Sequence, residues 1–291
     1  RLHALHHGAL TGRMMEGVEA ALLAEKPDWV LVYGDTDSTL AGALAAKKLH
    51  IRVAHVEAGL RSFNEAMPEE INRVLTDRLS DLLCVPTERA AENLRREGTD
   101  MRRVTLAGDV MKDAARTFAP KARRPREPLP ERFVLCTIHR AENTDSPEIL
   151  GELLLALEQV AQYVAVVLPL HPRTRMRLKE LAYPFGASRV RFTDPVGYLE
   201  MLYLLDHCAL VLTDSGGLQK EAYFAHKYCL TLREETEWTE LCDRGYNRIV
   251  GHDPGGIVDT TRRFLNQPPS FADDLYGDGR AASRIVRALI E

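Results

Sequence analysis

Ten short runs of apolar residues, at 29–33, 53–56, 82–85, 104–107, 133–137, 164–168, 190–192, 209–213, 229–232 and 248–250, recur along the chain with helical stretches between them. Most are uniformly apolar instead of alternating, which suits parallel strands covered by helices on both faces. Nearly every run stops at polar residues: Gly34-Asp35-Thr36-Asp37, Glu57-Ala58-Gly59, His139-Arg140, His171-Pro172-Arg173, Asp214-Ser215-Gly216-Gly217 and Arg233-Glu234-Glu235. Open parallel sheets bind ligands outside the carboxyl ends of their strands, so these residues fall where chemistry would be placed. The intervening helices carry their own signals. Met14, Val18 and Leu22 recur at four-residue spacing with Thr11 as the expected cap and Pro27 beyond the end, while Ser146 and Pro147 open the stretch to Gln162. Strand and helix alternate throughout, which predicts an α/β fold.

At 291 residues the chain is long enough for two cores. Residues 119–130 hold Pro120, Pro125, Pro128 and Pro130 in a basic cluster that no sheet interior would accept. The expected organisation is therefore a Rossmann-like α/β/α domain over 1–117, a linker over 118–131, a second such domain over 132–270 and a helical tail over 271–291. A net charge of −4 recruits no polyanion, so no nucleic-acid partner is expected. Cys84, Cys136, Cys208, Cys229 and Cys242 are scattered and odd in number, without metal-ligand spacing. They read as small buried residues in a reducing compartment, and neither a metal nor a cofactor is expected. No apolar stretch is long enough to span a bilayer, and Arg1-Leu2-His3-Ala4-Leu5-His6-His7 lacks the apolar core of a signal peptide. A soluble cytoplasmic protein without a membrane partner is expected.

Where the run ending at Thr213 meets Ser215-Gly216-Gly217, a strand hands over to a helix through small residues, whose free N–H groups suit a phosphate. Relief of steric crowding is the plain alternative. Glu221, six residues past Ser215, could accept both hydroxyls of a ribose, or it is a solvated helix residue. In the first half, Asp35 and Glu57 each follow a strand and would line one crevice if those strands are neighbours. Glu69 and Glu70 follow Pro68 at a helix start, where the dipole favours carboxylates whatever the function. Converging carboxylates disturb one another's proton affinity, which suits proton transfer. His139 and Arg140 could face a phosphate held at Ser215; His171 reads as a structural histidine bonded to a loop carbonyl. No G-x-G-x-x-G follows a strand, no G-x-x-x-x-G-K-[ST] is present, and Ser215 is not in a G-x-S-x-G elbow.

Together, Gly34-Asp35-Thr36, the stretch His55 to Arg61, Pro68-Glu69-Glu70-Ile71-Asn72-Arg73, His139-Arg140 and the stretch Thr213 to Glu221 closely resemble the non-hydrolysing UDP-N-acetylglucosamine 2-epimerases. The resemblance covers nearly the whole chain. It implies a two-domain glycosyltransferase-B-like fold with a UDP-sugar in the interdomain cleft, usually as a homodimer. It also implies anti elimination of UDP to a 2-acetamidoglucal and re-addition with protonation on the other face of C2. Carried over by position, Asp35, Glu57 and Glu69 would do the proton chemistry and His139 would sit near the leaving diphosphate. Ser215, Gly216 and Gly217 would hold phosphate oxygens and Glu221 the ribose, with Arg61 and Arg233 as further charge-stabilising candidates. Two departures stand out. The family opens with a strand and an Arg-bearing loop that this sequence starts downstream of. Residues 233–240, Arg-Glu-Glu-Thr-Glu-Trp-Thr-Glu, differ from the common Arg-Asp-Thr-Thr-Glu-Arg-Pro-Glu pattern. The Glu-Thr-Glu-Trp version resembles a branch that includes epimerases of UDP-2,3-diacetamido-2,3-dideoxyglucuronic acid, which leaves the substrate open.

Overall fold

The computed structural model describes residues 6–267, 270–272 and 274–291. They form two compact α/β units, one built from residues up to Asp113 together with Asp274–Glu291, the other running from Ala114 onward.

The first unit holds strands β1 (Trp29–Tyr33), β2 (Arg52–Val56), β3 (Leu82–Val85) and β4 (Val104–Leu106), all parallel and side by side in sequence order. On one face, Leu22 of the helix His7–Glu25 and Ala43, Ala45 and Ala46 of the helix Asp37–Lys48 pack against Val32 and Val53. The run of small residues lets these helices and the sheet approach closely. The helix His7–Glu25 starts from His6, so Thr11 lies inside it and not at its cap; it ends where Lys26 turns left-handed at φ 48° and returns its N–H to Leu22. Pro27 then cannot continue it.

On the other face, Ala54, Val56, Leu82, Cys84 and Ala107 enclose Ile285. That residue belongs to the helix Ala281–Ile290, within the stretch expected to be a tail beyond the second domain. The helix forms, but it completes the core of the first unit. Its first N–H groups, at Ala281 and Ala282, donate to the Asp113 carboxylate, and Arg284 Nη1 donates to the Ala107 carbonyl. A carboxylate at orphan helix donors is favourable on both hydrogen-bonding and dipole grounds. Nothing local in the sequence marks such a partner.

The second unit holds β5 (Phe133–Thr137), β6 (Ala165–Pro169), β7 (Arg191–Thr193), β8 (Leu210–Thr213), β9 (Cys229–Thr231) and β10 (Asn247–Ile249). All are parallel, in the order β10-β9-β8-β5-β6-β7. Counted from β5 this is the doubly wound arrangement, in which the winding reverses between β5 and β8. Phe133, Leu135, Val167, Leu204, Val211 and Leu218 lie within its core. The helix Pro147–Val160 begins as expected: Ser146 Oγ accepts the N–H of Ile149, and Pro147 occupies the first turn. The proline-rich stretch is fastened to this unit, since Arg123 N donates to the Leu199 carbonyl and Asp194 N to Glu127. Among the described residues no helix is long and apolar enough to cross a membrane.

Candidate functional site

The second sheet opens at its switch point onto a pocket of about 290 Å³ lined by Thr137, His139, His171, Met201, Ser215, Gly217 and Glu221, among others. Its place follows from topology: helices leave β5 and β8 to opposite faces, so the loops after these neighbouring strands part and leave a crevice. Thr137 and Thr213, paired in register at the two strand ends, join hydroxyls at 2.6 Å across its floor. Ser215 caps the helix Gly216–Phe224, its hydroxyl accepting from Leu218 N, and the first turn presents its N–H groups at the helix's positive end.

Beneath the pocket lies Asp214, fully buried and ringed by donors. Its carboxylate accepts from His139 N at 2.9 Å, Arg140 N at 2.9 Å and Asn143 Nδ2 at 3.1 Å, and His139 Nδ1 lies 3.2 Å from Oδ1. An ionised carboxylate only accepts, so Nδ1 of His139 carries the hydrogen and Nε2 presents a lone pair. Burial lowers the proton affinity of His139; the Asp214 charge opposes this, while His171 and Arg140 add to it, so the ring rests neutral. His171 faces it at 5.5 Å between ring centroids. Its ring accepts Arg173 N at Nδ1 as a helix cap, a bond to a helix N–H and not to the expected loop carbonyl, and it also lines the pocket, leaving Nε2–H as a donor there. Burial pushes the Glu221 carboxyl up to about 7 against the opposing charge of Lys220. A carboxyl so poised exchanges its proton with whatever hydroxyl or water it meets.

In the first unit β1 and β2 are neighbours, with Tyr33 beside Val56, so the loops bearing Asp35 and Glu57 are adjacent as expected. Gly34 takes φ 65° and Glu57 φ 75°, and a Cβ on Gly34 would lie 3.6 Å from Glu57 Oε2. A non-glycine residue held at positive φ is a costly arrangement that concentrates at functional sites. The Asp35 carboxylate accepts Arg73 Nε at 3.0 Å and Nη2 at 2.7 Å, and its carbonyl accepts Asn72 Nδ2 at 2.9 Å. Glu70 is buried and structural: it accepts Ser62 N, Ser62 Oγ, Phe63 N and Arg73 Nη1. Burial works against its charge, but the Ser62 N–H, Arg73 and the Phe63 N–H outweigh it and hold the carboxyl below its ordinary range. Glu69, half-buried beside it, takes no part in that knot.

Three of the expected ligand-contact residues meet protein partners in this structure. Arg61 is buried, with Nε and Nη2 on the two oxygens of Glu97 at 2.7 and 2.8 Å and Nη1 on Leu60 O and Asp77. Its donors are committed to the scaffold. Arg233 is likewise buried against Glu142 and Glu237, each at 3.1 Å. Gly216 does not line the pocket; its missing side chain makes room for Glu237, whose Oε1 would stand 2.5 Å from a Cβ there. Asp214, Asn143 and Thr137 were not singled out from sequence. The signal for Asp214 was a charged residue directly abutting a uniformly apolar strand. Among the described residues, no group of three or more His, Cys, Asp and Glu could hold a metal ion.

The family model for UDP-N-acetylglucosamine 2-epimerase matches residues 3–290. The chain belongs to that family. Among curated relatives, the UDP-2,3-diacetamido-2,3-dideoxy-D-glucuronate 2-epimerase of Pseudomonas aeruginosa is 51% identical over 292 residues, which cover 99% of this chain and 82% of the relative. The crystal structure of the Methanocaldococcus jannaschii UDP-GlcNAc 2-epimerase in complex with UDP-GlcNAc and UDP superposes with a TM-score of 0.87 at 40% identity, covering 98% of this chain and 82% of that one. That of Neisseria meningitidis bound to UDP-GlcNAc gives 0.89 at 31%, with the same coverage. The epimerase family thus shares this arrangement of two parallel sheets with flanking helices.

Proposed function

We propose that this chain is a non-hydrolysing 2-epimerase of a UDP-linked 2-acetamido sugar, working through anti elimination of UDP and its re-addition. The observation that supports the reading is the pocket at the second sheet's switch point, which His139, Ser215, Gly217 and Glu221 all line. In this reading the helix start at Ser215 holds diphosphate oxygens and Glu221 accepts the ribose hydroxyls. His139, neutral at rest with Nε2 open, takes up a proton as the diphosphate gathers charge and then stabilises the departing UDP.

The C2 hydrogen of such a sugar is not beside a carbonyl, so removing it alone leaves charge with nowhere to go. In the concerted sense a carboxylate takes the C2 proton, the C2–H pair becomes the C1–C2 double bond and the C1–O pair leaves with UDP. Reversal with a proton delivered to the opposite face of C2 inverts that centre. Acids are therefore needed on two faces, and Asp35, Glu57 and Glu69 are assigned to them. The reading requires these acids and the anion cradle to serve one sugar.

UDP-N-acetylglucosamine, giving UDP-N-acetylmannosamine as a precursor of surface polysaccharide, is the first substrate of this reading, with the enzyme acting as a cytoplasmic homodimer. The diacetamido-glucuronate is the second, favoured by the 51% identity to the Pseudomonas relative and by the Glu-Thr-Glu-Trp stretch. Incubation with each UDP-sugar in heavy water separates them. Deuterium is expected at C2 of both epimers recovered from the true substrate. Turnover that leaves C2 unlabelled would point to a glycosyltransferase, and UDP binding without turnover of either sugar to a non-catalytic binder.

A further inference from the structure

Beneath the Gly34–Asp35 turn, inside the first sheet, sits a histidine that none of the steps above uses. His55 is on β2 with no solvent exposure, a polar residue in the otherwise apolar sequence Val53-Ala54-His55-Val56. Its Nε2 lies 2.8 Å from the Gly34 carbonyl and its Nδ1 lies 2.7 Å from Asp77 Oδ1. The other Asp77 oxygen accepts Gly59 N at 3.1 Å and Arg61 Nη1 at 2.8 Å. A backbone carbonyl can only accept, and so can a carboxylate held by a guanidinium and an amide. With acceptors at both ends, a ring carrying one hydrogen would set a lone pair against a lone pair at a fully buried side chain. Such a buried clash costs more than the second hydrogen, because the carboxylate and the ring compensate each other's charge.

We propose that His55 is a positioning residue that carries hydrogen on both ring nitrogens, bridging Asp77 to the Gly34 carbonyl and so fastening the turn that presents Asp35 beside Glu57. The charged groups around it are few and named: Asp77 from the helix Pro68–Leu79, Arg61 with its partner Glu97, and Glu57 above the turn. The two loops beside the bridge both take positive φ, at Gly34 and at Glu57. Gly34 N donates to Val56 O at 3.1 Å and Glu57 N to Cys84 O at 3.1 Å, so each loop is tied to its neighbouring strand by its N–H. His55 supplies the tie on the carbonyl side of Gly34. An over-determined turn of this kind holds a reacting acid in place without rearrangement during the reaction.

The hydrogen count rests on geometry alone, while its consequence for turnover rests on the epimerase reading, and two measurements keep them apart. Nitrogen-15 labelling of the histidines in the full chain reads the ring nitrogens directly at neutral pH. Both His55 nitrogens are expected at protonated shifts, each coupled to a slowly exchanging hydrogen; one nitrogen at the bare-lone-pair shift would overturn the proposal. This needs neither a variant nor a substrate. The second measurement is His55→Gln, which keeps a donor for Gly34 but cannot span to Asp77. It should lower kcat by about 10- to 100-fold while Kd for UDP stays within about twofold. A wild-type kcat, or equal losses in kcat and UDP affinity, would remove the positioning role. Should neither sugar be turned over by the wild type, the isotope measurement still decides the bridge, and the failure belongs to the epimerase reading.

Discussion

The acids around Asp35 in the first unit and the pocket residues His139 and Glu221 in the second are held in opposite ways. In the first, Arg73 joins Asp35 to Glu70, Arg61 joins Asp77 to Glu97, and His55 joins Asp77 to the Gly34 carbonyl, a lattice of bonds mostly between 2.7 and 3.0 Å. Asp77 illustrates the balance: burial opposes its charge, but His55 and Arg61 outweigh that and hold its carboxyl low. In the second, the pocket groups are pushed toward their neutral forms: His139 loses proton affinity and Glu221 gains it. The contrast suits different tasks. Acids that exchange a proton at a fixed carbon must hold position, whereas groups that receive an anionic nucleotide gain by staying uncharged until it arrives.

If the lattice is scaffold, breaking it should cost the fold far more than it costs binding. Arg61→Met removes three charge-assisted bonds and leaves Asp77 buried with less compensation. Losing one partner of a buried pair destabilises by about 3–5 kcal/mol. Urea unfolding should show that loss, while UDP affinity of the folded fraction stays unchanged. A drop in affinity with full stability would return Arg61 to the ligand and break the comparison.

Asp35 tests the other half of the same claim, that a member of the lattice can also do chemistry. Asp35→Asn keeps an oxygen for Arg73 and the backbone bond to Asn72, so the fold should persist. Turnover should fall about 10²- to 10⁴-fold, with UDP affinity nearly intact. A wild-type rate would make Asp35 one more scaffold residue and would shift the proton chemistry to Glu57 and Glu69.

These contrasts were only partly legible in the sequence. The strand positions were, because uniform apolar runs bounded by polar junctions are a local property; all ten runs are strands, with ends displaced by a residue or so. His139, Ser215 and Gly217 lie within a few residues of a strand end, whereas Glu221 sits inside the helix Gly216–Phe224; all four line the pocket, and their roles are those proposed above. The acid partners of Arg61 and Arg233 were not legible, because an arginine beside a candidate site looks identical in sequence whether it faces a ligand or a buried acid. Their partners are Glu97 and Asp77, and Glu142 and Glu237, and Glu97, Asp77 and Glu142 lie too far along the chain for any local pattern to pair them. At Gly216 the missing side chain also makes room for Glu237, a requirement no local pattern shows. The return of Ala281–Ile290 to the first core was invisible because its receptor, Ala54 to Ala107, lies at the other end of the sequence.

A smaller effect is expected at Glu221. If the carboxylate accepts a ribose diol, Glu221→Ala should weaken UDP binding about 10- to 100-fold, read by titration calorimetry, with kcat at saturating sugar largely kept. Unchanged affinity would make Glu221 an ordinary half-buried helix residue and leave the second unit's pocket without its acid.

The smallest effect, and the sharpest probe of the second unit's neutral-at-rest character, is the response to pH. Accepting two hydroxyls favours the ionised form of Glu221, so binding UDP releases its proton, and affinity should weaken as pH falls below about 7. The diphosphate does the reverse at His139, raising its proton affinity, so affinity should also weaken on the alkaline side, giving a bell. Glu221→Gln should flatten the acid limb alone. Stability gives an independent sign. A carboxyl whose folded value is raised binds its proton more tightly than the unfolded chain does, so its contribution is complete below about 4.3 and is lost as pH rises through about 7. Relative to Glu221→Gln, the wild type should therefore lose a few degrees of Tm between about pH 4 and pH 8. Parallel curves for the two proteins would mean that the site ionises freely, and the contrast between the charged acids around Asp35 and the neutral Glu221 of the pocket would fail at its best-defined point.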